Sequence, residues 1–238
     1  MLSGEFHTTY ASDMGIFETR RAGWVLAAFI VALFAIPFVA GSYWLDVTNR
    51  AAIAVIAATG LNILTGFTGQ ISLGNAAFLA VGAYTTAFLA NHGVPFLFAC
   101  PLAGMVTALA GMVFGIPSLR LKGLYLAMAT LAAHFIIEFT SSHWEGVTGG
   151  VAGTSVPSPR ILGFDFSTDS RLFFLIVPAC IAHLYFAKNL FRTRVGKAFV
   201  AIRDQDISAE VMGVDVFRYK LLSFAVSSFY VGVAGSLT

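Results

Sequence analysis

Apolar residues fill long stretches of this chain, separated by short polar, glycine-bearing or proline-bearing breaks. Between those breaks the runs are Ala22–Leu45, Ala51–Thr65, Ile71–Asn91, Phe96–Leu119, Gly123–Phe139, Leu172–Ala187 and Leu221–Thr238. A helix rises 1.5 Å per residue, so about 20 apolar residues cross the ~30 Å of hydrocarbon in a bilayer. The second, fifth and sixth runs, of 15, 17 and 16 residues, are short by that measure, and their ends are soft. The pattern predicts an all-α protein, a polytopic transmembrane helical bundle of about seven spans. Gly66-Phe67-Thr68-Gly69-Gln70 interrupts the second and third runs. Those two read either as two spans or as one broken, re-entrant element.

Composition narrows the class further. Of 238 residues, 58% are hydrophobic and 11% charged, and the mean hydropathy is +0.82. A soluble domain carries about 25% charged residues, so a soluble enzyme, a nucleic-acid binder and a disordered chain are all disfavoured. The 69 residues from Ala51 to Leu119 hold no Asp, Glu, Lys or Arg. The net charge of +2 is too small to suggest a nucleic-acid partner. Arg20-Arg21 precedes a run of 24 residues, longer than the ~7–15 of a signal-peptide core, so it reads as a first span acting as its own targeting signal.

Charge asymmetry predicts the orientation. With the N-terminus inside, the inner segments hold Arg20, Arg21, Arg120, Lys122, Lys188, Arg192, Arg194, Lys197, Arg203, Arg218 and Lys220. The outer ones hold Arg50, Arg160 and Arg171, a bias of 11 against 3. Residues 1–21 are then a cytoplasmic tail and 22–238 a transmembrane domain, with an outer loop over 140–171 and a cytoplasmic segment over 188–220. Cys100 and Cys180 lie in apolar runs without metal or redox spacing and read as core residues. Gly74 to Gly82, Gly111 to Gly115 and Gly232 to Gly235 mark helix–helix faces, because helices in lipid associate through close backbone approach. The last run ends still apolar, without a basic flank, and looks cut short.

Candidate chemistry is sparse. His134 and Glu138 are four apart and share a helix face. An ionisable pair in a span is a functional hypothesis, here weighed against a structural hydrogen-bonded pair; no third metal ligand is near. His183, alone in its run, reads as a satisfied core histidine. No nucleophile elbow, dinucleotide fingerprint or G-x-x-x-x-G-K-[ST] loop occurs, so ATP hydrolysis by that route needs another subunit.

Three segments carry more. Gly60–Phe78 places Asn62, Thr65, Gln70, Ser72 and Asn75 at membrane depth among four glycines. Irregular backbone there survives only where protein or a wet cavity satisfies it, so the segment is either a translocation-path element or a plain turn between two helices. In Lys188–Lys220, Asp204 or Asp206 can cap a short helix that contains Glu210 and stops at Gly213. Its stripe of Ile207, Val211 and Met212 needs a partner, either the membrane interface or a groove on a cytoplasmic protein. The outer loop carries Trp144, Thr148-Gly-Gly150, and the acidic Glu145, Asp165 and Asp169.

At these segments the chain resembles the LivM-type permease subunits of branched-chain amino acid ABC importers, from about residue 20 onward. The likeness rests on Gly69-Gln-Ile-Ser-Leu-Gly-Asn-Ala-Ala-Phe78 with Gly82-Ala-Tyr84, and on Gly123-Leu-Tyr-Leu-Ala-Met-Ala-Thr-Leu131 with Ile136-Ile-Glu138. Further matches are Trp144 to Gly150, Gly196-Lys to Ala201-Ile-Arg-Asp204, Ala209-Glu to Met212-Gly213, and Tyr219-Lys220. The sister LivH-type subunit carries an Asn-Phe-Ala-His-Gly-like segment where this chain has Gly74-Asn-Ala-Ala-Phe78.

The resemblance implies a bacterial inner-membrane transport subunit, itself neither enzyme nor cofactor binder. Its partners would be a LivH-type permease, two ABC ATPase subunits that bind the ATP, and an external solute-binding protein. It further implies a translocation path touching Asn62, Gln70, Ser72, Asn75 and Glu138, and a coupling segment of Arg203, Asp204, Asp206, Ile207, Glu210, Met212 and Gly213. Members of the family usually carry one or more further helices after the point where this chain ends. A urea or short-amide permease of the same family, and a stand-alone ion-coupled transporter using His134 and Glu138, are the alternatives.

Overall fold

The computed structural model describes the backbone of residues 20–238 apart from 120, 122, 157–158 and 162–163. The predicted tail over residues 1–21, with the side chains of Arg20 and Arg21, and the flanking charges Arg120 and Lys122 lie outside the described residues. The chain is helical almost throughout: α1 (Arg20–Val39), α2 (Ser42–Thr68), α3 (Asn75–Asn91), α4 (Phe96–Ser118) and α5 (Leu124–His143). After them come α6 (Glu145–Thr148), a 3₁₀ turn (Gly150–Ala152) and a two-residue antiparallel ribbon, β1 (Arg160–Ile161) with β2 (Phe164–Asp165). Then follow α7 (Asp169–Arg192), α8 (Arg194–Asp204), α9 (Asp206–Val211) and α10 (Val216–Ser236). Seven long helices, α1 to α5, α7 and α10, thus carry the seven apolar runs, with shifted ends.

Two compact units divide at Leu45–Asp46. The first contains α1, which carries Pro37 in its last turn. All candidate site residues fall in the second. There α2, α4, α5 and α7 are long and apolar enough to span a membrane, yet only 22–28% of their apolar windows is buried within the chain. Lipid or neighbouring helices must cover the rest, and a multi-pass membrane protein follows.

The boundaries differ from the expected ones where polar groups find partners along their own helix. The first run was expected to reach Leu45, but α1 ends at Val39 and α2 begins at Ser42, nine residues before the predicted start. Arg50, expected in an outer loop, sits inside α2. Its Nε donates to both carboxylate oxygens of Asp46, one turn back, at 3.1 and 2.9 Å. The buried Asn49 donates from Nδ2 to the Asp169 carbonyl at 3.1 Å, tying α2 to the start of α7.

The last helix is the axis of the second unit. Eleven residues of α10 are buried, and small ones recur along it: Ser223, Ser227, Ser228, Gly232, Ala234, Gly235 and Ser236. A Cβ at Gly82 of α3 would overlap the Gly232 backbone, one at Gly235 would overlap the Leu79 carbonyl, and one at Gly111 of α4 would strike the Ser228 hydroxyl. At Gly60 of α2 it would lie 2.8 Å from Tyr230 Cβ. The glycines read from sequence as helix–helix faces therefore pack this one bundle. Cys180 is buried in a core with Ile56, Ile63, Phe199 and Tyr230, and Cys100 Sγ accepts from the Ser236 hydroxyl at 2.9 Å. His183 is satisfied, with Nδ1 against the Ala179 carbonyl at 2.7 Å.

Because α3 and α10 touch through backbone, Gly82→Val is expected to lower the melting temperature of the detergent-solubilised chain by several degrees, about 1–3 kcal/mol for overpacking. Gly146→Ala, where a Cβ meets nothing within 4 Å, should stay within about 0.5 kcal/mol of the parent. Scanning fluorimetry on both variants checks the contrast.

Candidate functional site

Helix α2 ends at Thr68, where Gly69 turns with φ +68° and the chain runs on without helix to Gly74. Side chains alternate along this stretch. Gln70 and Ser72 are buried together with Gly74, while Ile71 and Leu73 are about half exposed. The Leu73 N–H donates to Thr130 Oγ1 of α5 at 3.0 Å, and a Cβ at Gly74 would lie 2.8 Å from the Thr130 carbonyl. Thr130 is six residues past the start of α5, roughly 9 Å along its axis. Gln70 meets α10 at Ser223, whereas Phe78 clusters with Val231, eight residues and roughly 12 Å further along. The break thus runs along the bundle from Ser223 of α10 to Thr130 of α5. Helix α3 then runs 17 residues, from Asn75 to Asn91.

A directed chain of hydrogen bonds holds the break. Gln70 Nε2 donates to Ser223 Oγ at 2.7 Å and to Thr68 Oγ1 at 3.1 Å. Ser223 passes its proton to the Lys220 carbonyl at 2.7 Å, and Thr68 passes its own to the Leu64 carbonyl at 2.6 Å. The Gln70 N–H closes onto that same Leu64 carbonyl at 3.1 Å. Gln70 Oε1 is buried without a hydrogen-bond partner. Gln70 and Ser72 therefore face the interior, and Gln70 clasps the end of α2 to α10. Of the other residues expected on a path, Asn62 is exposed on α2 one turn before Gly66, and Asn75 is half-buried as the first residue of α3. Glu138 is not brought to this place. It lies eight residues past Thr130 with its side chain 62% exposed, 3.7 Å from His134.

The polar segment after α7 is built more fully than its sequence suggested. It opens with α8, which was not anticipated: Thr193 caps it by accepting from the Gly196 N–H at 3.4 Å. Ala198, Phe199 and Ile202 turn into the bundle, spaced as one helical face. That spacing, preceded by a threonine, was the signal available. Gly196 lies directly on the Phe191 backbone, which fixes the elbow between α7 and α8.

Beyond the extended Gln205 comes α9. Its predicted stop is present: Gly213 has φ +88°, its N–H donates to the Glu210 carbonyl at 2.9 Å and that of Val214 to the Ala209 carbonyl at 3.0 Å, a Schellman closure. Its predicted cap is not. Gln205 occupies the cap position without a side-chain bond, because each aspartate is engaged by a cation instead. Asp204 Oδ1 takes Arg203 Nη2 at 2.9 Å, and Asp206 lies 3.6 Å from Lys220 Nζ. On α9 only Ala209 is buried. Ile207 is 65% exposed, Val211 and Met212 are each 85% exposed, and Glu210 is exposed beside them.

A cavity of about 350 Å³ joins the two segments, lined by Gly69 and Gln70 from the break, Arg203 and Asp206 from the elbow, and Gly123 and Lys220. Arg203 Nη1 reaches across it to donate to the Gly66 carbonyl of α2 at 3.1 Å. A larger cavity of about 780 Å³, between α3, α7 and the end of α10, contains none of the expected residues. In the loop after α5, Thr148 donates to the Ser141 and Trp144 carbonyls at 2.6 and 2.8 Å, and Gly149 and Gly150 turn with positive φ.

Residues 43–238 match the family model described as branched-chain amino acid transport system / permease component. Two relatives named high-affinity branched-chain amino acid transport system permease protein LivM are similar over 89% of this chain. One is from Salmonella typhimurium (33% identical), the other from Escherichia coli K12 (32%), and the chain spans 56% of the length of each. A probable branched-chain amino acid transport permease protein LivM from Methanocaldococcus jannaschii is 27% identical over 57% of this chain and 39% of its own length. No solved structure matches.

The clasp at the break generates a double-mutant test. Gln70→Ala and Ser223→Ala should each destabilise the solubilised chain by about 1–2 kcal/mol, the cost of an orphaned buried polar partner. The double variant should cost about 1 kcal/mol less than their sum, since both remove one interaction. Thermal unfolding of the four proteins measures the coupling.

Proposed function

The chain belongs to the branched-chain amino acid transport system permease family, and from that premise we propose that it is a membrane-spanning subunit of an ATP-driven importer for branched-chain amino acids. It pairs with a sister permease of LivH type to form the passage. Its sequence holds no G-x-x-x-x-G-K-[ST] loop, and in this reading the energy comes from two separate ATPase subunits while an external solute-binding protein delivers the substrate. The chain lies in a bacterial inner membrane with its N-terminus in the cytoplasm, in keeping with the excess of Lys and Arg on segments of one side.

The observation that carries this reading is α9. Six residues long, it leaves Ile207, Val211 and Met212 outward and buries only Ala209. An apolar stripe standing on a polar arm between charged elbows is a surface shaped for a groove in another protein. The ATPase receives α9 there, with Glu210 on its rim and the left-handed Gly213 fixing the angle at which the chain turns back into α10. The break after α2 supports a passage nearby, since irregular backbone inside a bundle is a recurrent feature of transport sites.

The test is ATP-dependent uptake of radiolabelled leucine by proteoliposomes holding both permeases, both ATPases and the binding protein. Ile207→Asp is expected to reduce uptake by about ten-fold or more, the effect of placing a charge at the centre of a desolvated contact, while the chain still inserts. Normal uptake with Ile207→Asp would remove the docking role. Uptake by this chain alone under an ion gradient, without ATP, would overturn the reading and favour coupled transport through His134 and Glu138.

A further inference from the structure

Arg203 joins two elements that the proposed function leaves separate. It stands in the last turn of α8, three residues before α9 begins. One edge of its guanidinium holds Asp204 Oδ1, with Nε at 3.1 Å and Nη2 at 2.9 Å. The other edge, through Nη1, donates to the Gly66 carbonyl at 3.1 Å. Gly66 lies in the last four residues of α2, whose carbonyls have no partner within the helix because the chain leaves it at Gly69. The aliphatic stem of Arg203 also covers Gly69, where a Cβ would come 3.1 Å from its Cγ. A cation at a helix C-terminus is favoured by the helix dipole as well as by the hydrogen bond. The end of α2 is therefore capped from 137 residues away.

Helix α9 is held to the bundle mainly by polar links. Only Ala209 is buried, while Arg203–Gly66, at the end of α8 just before it, and Asp206–Lys220, at its own first residue, tie that junction to α2 and α10. The second tie leads on to the break. Lys220 offers its carbonyl to Ser223, and Ser223 accepts from Gln70 in the break. Movement of α9 that carries the α8–α9 junction with it drags the last turn of α2 or breaks its cap.

We propose that Arg203 is a positioning residue that carries motion of α9 into the break between α2 and α3. The proposal rests on the reading of α9 as the docking element of a separate ATPase. When docking displaces α9, the guanidinium pulls on the Gly66 carbonyl and shifts Gly69 and Gln70, so that Ile71 and Leu73 on the outer side of the break move with them. Arg203 acts through the backbone of α2 and touches no solute.

The experiment uses the complete reconstituted importer and reads two quantities, leucine uptake and ATP hydrolysis stimulated by the binding protein. Arg203→Ala should lower uptake per ATP about ten-fold with stimulated hydrolysis within about two-fold of the parent, because docking persists while transmission fails. Arg203→Lys, which keeps a charged donor, should recover at least about a third of the ratio. An unchanged ratio in Arg203→Ala overturns the proposal, and so does equal loss of uptake and hydrolysis, which would make Arg203 part of the docking surface.

A second measurement leaves Arg203 in place, and so decides the matter even where Arg203→Ala does not assemble. With Cys100 and Cys180 replaced by Ala, Ile71→Cys should react with a maleimide at rates differing about three-fold or more between the nucleotide-free and vanadate-trapped complexes. Equal rates overturn the proposal. Failure of the underlying function is separate, since the unaltered complex would then show no ATP-dependent uptake.

Discussion

A chain that leaves its helix within a packed bundle must find partners for the N–H and C=O groups it buries. The arrangement of this molecule follows from that constraint at one place, the six residues between Thr68 and Asn75. The Leu64 carbonyl receives the Thr68 hydroxyl and the Gln70 N–H. Gly66 receives Arg203, and Leu73 gives its N–H to Thr130. These partners come from α5, α8 and the break itself, while Ser223 of α10 anchors Gln70. Three helices besides α2 are thus committed to stabilising one irregular segment. A break without such support would cost several kcal/mol for each orphaned group.

The axis helix makes this affordable in space. Close approach in lipid depends on small residues, since no hydrophobic exclusion drives helices together there. Along α10 the side that meets α3 and α4 is built of Ser228, Gly232 and Gly235, and the opposing positions are Gly82 and Gly111. Backbone meets backbone, and the hydroxyls that remain are mostly returned to carbonyls of their own helix, as in Ser236 to Val233 and Thr107 to Ala103. At its first turns the same helix changes character. Lys220 and Ser223 face the break and the elbow rather than a helix partner. One helix therefore both centres the bundle and holds the site.

The long helices were legible in the sequence because each is an apolar run between breakers, and hydropathy alone reports that. Their ends were not. Asp46 and Arg50 look like loop charges one residue at a time, yet as a pair one turn apart they extend α2. The direction of Gln70 and Ser72 was beyond reach for a related reason. A polar side chain in a membrane segment reads as a candidate for a wet passage, and the composition is the same when it clasps a neighbouring helix. The alternation along the break turns Gln70 and Ser72 into the bundle and Ile71 and Leu73 out of it. Helix α8 was missed because its buried face is short and lies among seven basic residues, whose charge dominates any local average.

The exposure pattern of α9 completes the physical picture when set against α8. The two helices are neighbours of similar polarity, yet α8 buries Phe199 fully in the core while α9 leaves Val211 and Met212 almost bare. Propensity does not explain the difference, since both carry apolar residues at helical spacing. Anchorage does. Gly196 lets α8 lie flat on the end of α7, which commits its apolar face inward, whereas the extended Gln205 redirects the chain so that α9 stands off the bundle, fixed at its start by Asp206 and at its end by Gly213. A helix held at both ends and bare along its apolar side keeps its shape while it waits for a surface. The rigid one beside it gives that surface something to push against.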